Sequence, residues 1–258
     1  YVDTGSIQVG GFTIQNWDKE AWGEQNMVGC LQHSLNVCMA WISTQMGPTI
    51  FYGYMERFGF GHPTGVDLAG EAMGRLKTPG DSDWYNVDLG TNAFGQGVTA
   101  TPLQMLMATS AIANNGKMVT PHILYSMLRD GHQYNVPSQY GGSPITSQTA
   151  HTLSEMLAQS LSAESSEALL SGYRVAGKTG TAQIPTDFGY DPSVTNASFI
   201  GWGPVDDPQF MIYVWLNAPT SSIWGSQTAA PTFSKVAEQT VILLNIPPDN
   251  VRLQLTSK

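Results

Sequence analysis

The last third of the sequence carries three strand-like segments followed by one amphipathic helix, and this run constrains the fold more than any other feature. The three segments span residues 173–183, 197–201 and 209–216. Their β-branched and aromatic residues are typical of strands. The helix is predicted over 230–245, with Phe233, Val236 and Leu244 on its buried face. Three strands followed by a covering helix predict an antiparallel sheet flanked by helices, an α/β (α+β) fold.

Upstream of this run, short helices alternate with loops rich in glycine and proline. The predicted elements are a hairpin over 6–15, two short helices between 27 and 46, a helix starting at Thr101 and a helix starting near Ser147. The two short helices meet at a polar break over 33–36 and stop before Gly47-Pro48, which disfavours helical backbone. The helix at Thr101 begins with a capping box formed with Gln104.

The charge balance excludes one class of partner. Eleven basic residues stand against twenty acidic residues, so the formal net charge is −9. An acidic chain with few cations has no basic face with which to neutralise nucleic-acid phosphates. We therefore predict no nucleic-acid partner.

The two cysteines, Cys30 and Cys38, are eight residues apart. This spacing fits neither a CxxC redox pair nor a zinc knuckle. We predict that both are small core residues, and the sequence implies neither a metal site nor a cofactor.

A nucleotide-binding pattern also occurs in the sequence. Residues 172–179 satisfy GxxxxGK[ST], the phosphate-binding loop of NTPases. That loop requires a helix directly after it, whereas Pro185 and the strand-like residues around it disfavour one. A P-loop NTPase is therefore kept only as an alternative function.

Two shorter motifs point elsewhere. Lys178-Thr-Gly-Thr181 lies within a predicted strand, and Ser34-Leu-Asn36 lies at the junction of the two short helices. With the surrounding sequence, they resemble the KTG and SxN motifs of the transpeptidase domain of class B penicillin-binding proteins. The resemblance also covers residues 58–61, 64–68, 70–71, 94–97, 101–104, 113–116, 177–183, 199–201 and 230–231. It implies a β-lactamase/transpeptidase-like fold and peptidoglycan D,D-transpeptidase activity.

The resemblance also implies a role for each motif residue. Lys178, Thr179 and Thr181 would hold the terminal carboxylate of a D-Ala-D-Ala stem peptide or of a β-lactam, and Thr181 N–H would donate to the oxyanion. Gly180 would keep the strand open for the peptide to lie alongside. Ser34 would relay a proton, and the side chain of Asn36 would bind the substrate amide. Catalytic roles thus fall to Ser34, Asn36 and Lys178, and substrate binding to Thr179, Gly180 and Thr181. A simpler structural reading is that Ser34 and Asn36 only cap a helix.

The family nucleophile belongs to an SxxK motif, which this sequence lacks. The residues three positions before its six lysines are Asn16, Gly74, Asn114, Val175, Thr232 and Leu255. We therefore expect 1–258 to be the C-terminal portion of the domain, inert alone and incomplete at its N-terminal side. An unpaired sheet edge would then be covered by the missing N-terminal segment or by another chain.

Two further expectations follow from the family. The whole protein would act at the extracytoplasmic face of the bacterial cytoplasmic membrane, with its anchor outside this chain. The second alternative function is a noncatalytic β-lactam sensor or binding module of the same fold.

Overall fold

The structure is a computed structural model that describes residues 1–164, 166–186 and 189–256. The helices in these ranges are α1 (Met27–Gln32), α2 (Asn36–Arg57), α3 (Asp88–Thr91), α4 (Pro102–Ala113), α5 (Ser147–Glu164), α6 (Ala229–Leu243) and α7 (Asp249–Thr256). The strands are β1 (Val2–Asp3), β2 (Ser6–Val9), β3 (Phe12–Gln15), β4 (Gly23–Glu24), β5 (Met118–Thr120), β6 (Ser126–Arg129), β7 (His132–Asn135), β8 (Gln139–Gly142), β9 (Ala176–Thr186), β10 (Gly189–Gly203) and β11 (Phe210–Asn217). Within the described residues, no helix is both long and apolar enough to cross a bilayer.

The central sheet is antiparallel, with the order β11-β10-β9. This arrangement confirms the predicted strand pairing. The middle strand is longer than the predicted segment 197–201, and its pairing with β9 shifts register between Asp191 and Thr195. Strand β9 therefore lies at one edge of the sheet, and its outer side has no paired strand among the described residues.

Helix α6 covers one face of this sheet. Phe233, Ala237 and Val241 are buried, and the ring of Phe233 packs 4.7 Å from that of Phe199. The prediction that Val236 and Leu244 share the buried face is wrong, since their exposed fractions are 43% and 54%. The buried residues recur every four positions, which forms a narrow stripe that leaves the flanking positions in water.

Helices α4 and α5 cover the other face. Leu157 and Ala158 of α5 pack against Ala176 and Trp202 of the sheet. The indole of Trp202 is 1% exposed and donates to Ser154 Oγ over 3.2 Å. The sheet is thus a middle layer with helices on both faces, as predicted.

The N-terminal elements also follow the predicted pattern. Strands β2 and β3 form the hairpin, and α1 and α2 meet at residues 33–35. Helix α2 breaks at Gly47, whose φ of 74° is non-helical, and resumes at Pro48.

Cys30 and Cys38 are fully buried, but they are bonded to each other as a disulfide. The prediction that both are core residues is confirmed, and the disulfide settles the oxidation state, which the spacing alone leaves open. The turn between α1 and α2 brings their Cα atoms to 6.1 Å, within the usual range for a disulfide.

Candidate active site

Ser34 lies between α1 and α2 with its side chain exposed to solvent. Its φ of 52° is in the left-handed region, which reverses the chain between the two helices. The side chain of Asn26 caps α1, whereas Leu35 precedes α2 without any side-chain cap. The reading of Ser34 and Asn36 as helix caps is therefore wrong.

A buried polar pair, Asp3 and Asn16, stabilises the junction between α1 and α2. Asn16 accepts a hydrogen bond from Val37 N at 3.1 Å and donates to the carboxylate of Asp3 at 2.7 Å. Asp3 also accepts from Trp22 N. Asp3 and Asn16 are almost fully buried, and their satisfied bonds tie the first strand to the start of α2. Neither residue belongs to a recognisable motif, so the sequence did not reveal them.

Asn36, at the first position of α2, donates its side-chain amide to Gln15 O over 3.2 Å. This bond fixes the side chain against the end of β3. The amide oxygen of Asn36 takes no part in this bond, and an amide oxygen can accept a hydrogen bond from a peptide N–H.

Lys178 brings the two motifs together. Its Nζ donates to Ser34 Oγ over 2.8 Å, and it also lies 3.2 Å from Thr179 Oγ1 and 3.3 Å from Thr179 O. The two contacting residues are 144 positions apart in sequence. A cation held between two hydroxyl groups at a sheet edge can bind an anionic group.

Gly180 is placed where a side chain would collide with the next strand. A Cβ at this position would lie 2.5 Å from Ser198 Oγ, on the strand paired with β9. Ser198 also hydrogen-bonds the phenol of Tyr213, whose pKa is raised by burial. Strand β9 therefore has no side chain protruding at Gly180, and the hydroxyl groups of Ser198 and Tyr213 lie next to this position on the neighbouring strands.

Thr181 lies on the exposed part of β9. Its Oγ1 accepts a hydrogen bond from Gly225 N over 3.1 Å, which docks the loop after β11 against the strand. The hydroxyl hydrogen of Thr181 is left to donate to another group.

Two tryptophans that the sequence did not single out lie beside these motifs. Trp17 donates its indole N–H to His33 O over 3.1 Å, next to Ser34. Trp224 precedes Gly225, and its ring meets that of Trp17 edge-to-face at 5.4 Å. The contact links the Ser34 side of the site to the β9 side.

The nucleotide-binding alternative fails on this geometry. Gly177, Lys178 and Thr179 lie inside β9, so the strand continues where a phosphate-binding loop would turn into a helix. Without a helix N-terminus, the backbone amides cannot converge on a phosphate.

The site thus consists of a lysine on the edge strand of a helix-flanked sheet, facing a serine at a helix junction. The profile of the "Penicillin binding protein transpeptidase domain" matches residues 1–238. The chain therefore belongs to the penicillin-binding protein transpeptidase family.

Several relatives align over most of this chain. Stage V sporulation protein D of Bacillus subtilis is 32% identical over 262 residues, which cover 96% of this chain and 39% of the relative. Penicillin-binding protein PbpB of Mycolicibacterium smegmatis is also 32% identical, over 94% of this chain and 39% of its own length. The chain thus spans about two fifths of these relatives.

Solved structures give the same result. Penicillin-binding protein 3 of Mycobacterium tuberculosis superposes with a TM-score of 0.86 at 30% identity, over 96% of this chain and 58% of that protein. The same protein has been solved in complexes with aztreonam and with ampicillin. The predicted transpeptidase-like fold is confirmed.

Proposed function

We propose that this chain supplies the SxN and KTG motifs that line the active site of a peptidoglycan D,D-transpeptidase. The observation that carries the proposal is the 2.8 Å contact between Lys178 Nζ and Ser34 Oγ, which joins the two motifs at the open edge of β9. The family match and the complexes of a relative with β-lactams support the same conclusion.

The chemistry is acyl transfer through a serine ester. A serine oxygen attacks the carbonyl between the two D-Ala residues, the peptide C–N bond breaks, and D-Ala leaves with a proton on its new amine. An amine of a second stem peptide then attacks the ester, releases the serine oxygen and takes over the acyl group. The attacking serine and its base lysine belong to an SxxK segment that 1–258 does not contain.

The residues of this chain have supporting roles in that chemistry. Lys178, Thr179 and Thr181 hold the carboxylate of the stem peptide or of a β-lactam, and Thr181 N–H donates to the oxyanion. Ser34 relays the proton, since its hydroxyl touches Lys178 Nζ and faces solvent. Gly180 leaves room for the peptide to lie along β9 as an added strand.

This function places the whole protein outside the cytoplasm, at the extracytoplasmic face of the bacterial membrane, where stem peptides are crosslinked. The outer edge of β11 is unpaired among the described residues. We expect the segment that carries SxxK, or another chain, to cover this edge, because an exposed edge strand pairs readily with other strands.

The test is covalent labelling by a fluorescent penicillin, followed by denaturing electrophoresis. We expect no labelled band from 1–258 alone, and a band when the chain is extended upstream to include SxxK. Lys178→Ala in the extended protein should lower the labelling rate about 100-fold or more, on the scale of losing one charge-stabilising group.

The control variant is Lys235→Ala, because Lys235 is exposed on α6 and follows Thr232 at a similar spacing. It should label like the unaltered protein. Labelling of 1–258 alone would contradict its inertness. An extended protein that binds penicillin without forming a covalent bond would identify the sensor alternative instead.

A further inference from the structure

The turn that carries Ser34 ends helix α1, and it has the hydrogen bonds of a Schellman motif. Ser34 N donates to Leu31 O over 3.3 Å, and Leu35 N donates to Cys30 O over 3.0 Å. In this motif the residue at the position of Ser34 adopts left-handed backbone and is usually glycine. Ser34 adopts that backbone, with a φ of 52°. A serine therefore occupies a position that favours glycine.

The side chain that makes serine unfavourable in this turn is also the one that the site uses. Its hydroxyl meets Lys178 Nζ at 2.8 Å. Glycine would relieve the backbone strain, but it would remove this contact. Strained backbone persists only where the surrounding structure determines its conformation. The turn at Ser34 therefore depends on restraints from its neighbours.

The disulfide lies where such a restraint is needed. Cys30 belongs to α1 and Cys38 to α2, and Ser34 lies midway between the two cysteines, which are eight positions apart. Cys30 is also the residue whose carbonyl accepts the hydrogen bond from Leu35 in the Schellman motif. The S–S bond thus closes a covalent ring around the turn, with Ser34 at the middle of the ring.

This ring is buried on one side and open on the other. Cys30, Leu35 and Cys38 are 0% exposed and form one core cluster. An apolar residue at the position of Leu35 commonly packs against the last turn of the helix in a Schellman motif. Ser34, by contrast, is exposed. The disulfide therefore holds the buried side of the turn and leaves the hydroxyl of Ser34 facing Lys178.

Hydrogen bonds from the end of β3 also reach this turn, but they do not join the two helices. Asn16 accepts from Val37 N, within α2. Trp17 donates to His33 O at the end of α1, where the bond is exposed to solvent and competes with water. The disulfide is a buried covalent link between α1 and α2.

We propose that the disulfide between Cys30 and Cys38 positions Ser34 for its proton relay, by holding the strained turn so that the hydroxyl stays against Lys178. This inference rests on the proposed function. The cysteines are positioning residues, because they are buried and act through Ser34. Loosening the turn should slow acylation more than it weakens binding of a β-lactam, since the groups that hold the carboxylate lie on β9.

The experiment measures acylation of the upstream-extended protein that carries SxxK by a fluorescent penicillin. Rates at several penicillin concentrations give the dissociation constant of the noncovalent complex and the first-order acylation rate constant. The double variant Cys30→Ala/Cys38→Ala should lower the rate constant about 10- to 100-fold, the range expected for a displaced reacting group. It should change the dissociation constant less than about threefold. Each single variant should match the double variant, since either substitution breaks the bond.

A double-mutant cycle separates positioning from a general loss of stability. In the background of Ser34→Ala, loss of the disulfide should change the acylation rate constant less than about twofold, because the group that the bond positions is absent. A merely destabilised fold would lower the labelled fraction without changing the rate constant of the folded molecules. Ile42→Val removes a methyl group from the same core cluster, leaves the bond intact and should be acylated like the unaltered protein.

The contact itself can be followed in 1–258 by ¹H–¹⁵N NMR of the isotopically labelled chain. Ser34→Ala should shift the backbone amide signal of Lys178 when the disulfide is present, and should shift it much less in the double cysteine variant. The amide signals of α6, which packs on the other face of the sheet, should stay in place in every variant. Unchanged α6 signals would show that the fold is retained.

The possible failures are distinguishable. If the extended protein is acylated equally fast with and without the disulfide, or if the cysteine and Ser34 substitutions act independently, the inference is overturned and the proposed function stands. An equal shift of the Lys178 amide in both backgrounds would also overturn it. If no form of the extended protein is acylated, the proposed function fails and the inference fails with it.

Discussion

Ser34 adopts a backbone conformation that few residues other than glycine adopt. Its φ of 52° allows α1 to turn into α2 while its hydroxyl meets Lys178. A side chain in the left-handed region costs about 1–2 kcal/mol. The site therefore accepts backbone strain in order to place one hydroxyl group.

Ser34→Gly and Ser34→Ala both remove the hydroxyl group that contacts Lys178, but only Ser34→Gly also relieves the backbone strain. We expect the free energy of unfolding to rise by up to about 1 kcal/mol, because glycine relieves the strain. Ser34→Ala keeps the strain and should not be stabilised. Urea denaturation of both variants measures the difference, and equal stabilities would contradict this account.

The close approach of β9 and β10 makes a second prediction at this scale. Gly180→Ala places a methyl group 2.5 Å from Ser198 Oγ and should destabilise the fold by about 1–3 kcal/mol. In the background of Ser198→Ala, the same substitution should cost less, since the nearest remaining side-chain atom is 3.8 Å away. A double-mutant cycle by urea denaturation measures this coupling.

Gly225→Ala is the matched comparison. Its Cβ would lie 2.5 Å from Gly180 O and from Ser198 O, which are backbone atoms that cannot rotate away. We expect a larger loss of stability than for Gly180→Ala, and no rescue by Ser198→Ala. Rescue in this case would show that the backbone of the sheet yields easily.

Among the elements, α4 depends on one buried polar side chain. Gln104 completes the capping box with Thr101 and also donates to His62 O and Met73 O at 2.7 and 2.6 Å. It is 2% exposed. One side chain thus starts a helix and holds the glycine-rich segment that precedes it.

Gln104→Ala should therefore cost more than the loss of a cap. We expect about 2–4 kcal/mol, because the cap is lost and two carbonyl groups are left without a donor. Thr101→Ala removes only the cap and should cost about 1 kcal/mol. Chemical denaturation of both variants tests the ranking, and equal losses would contradict it.

Elements governed by local patterns could be predicted from the sequence. The capping box at Thr101 and the break at Gly47 depend on neighbouring residues, and both are confirmed. The full length of β10 could not be predicted, because its first half is polar and is held by pairing with β9. The exposure of Val236 likewise depends on how α6 is set against the sheet.

The candidate site divides in the same way. Ser34 and Lys178 were identified through short motifs, and the structure brings them into contact. The structural support by Asp3 and Asn16, and the contact between Trp17 and Trp224, join residues that are distant in sequence and share no local pattern. Only the folded chain reveals such pairs.

At the scale of the whole molecule, two carboxylates hold the loop-rich middle of the chain. Glu71 accepts from the backbone and hydroxyl groups of Thr64, and these bonds hold the pKa of its carboxyl below the usual range. Asp67 accepts from Ile123 N and Leu124 N, which lowers its pKa in the same way.

The sign of the pH dependence follows from these shifts. A carboxyl group whose pKa is lowered by folding stabilises the fold above its unfolded pKa and loses this contribution as the pH falls through the folded value. We therefore expect the middle segment to loosen below about pH 4. Hydrogen exchange at the amides of 64–66 and 123–124 should accelerate there first.

Glu71→Gln should remove part of this acid dependence. The variant should be less stable at neutral pH and should change less between neutral and acid pH than the unaltered chain. Glu238→Gln, which alters an exposed carboxylate on α6, is the control and should leave the profile unchanged. An identical profile for Glu71→Gln would refute the role assigned to this carboxylate.

The 144-residue separation of Ser34 and Lys178 has a consequence for the order in which the chain is made. At about 5–20 residues per second, a ribosome completes the second residue roughly 7–30 s after the first. During that interval the apolar residues of the junction between α1 and α2 cannot pack against β9, because β9 has not yet been synthesised. The hydrogen bond between these residues therefore closes late, since contacts so distant in sequence form slowly.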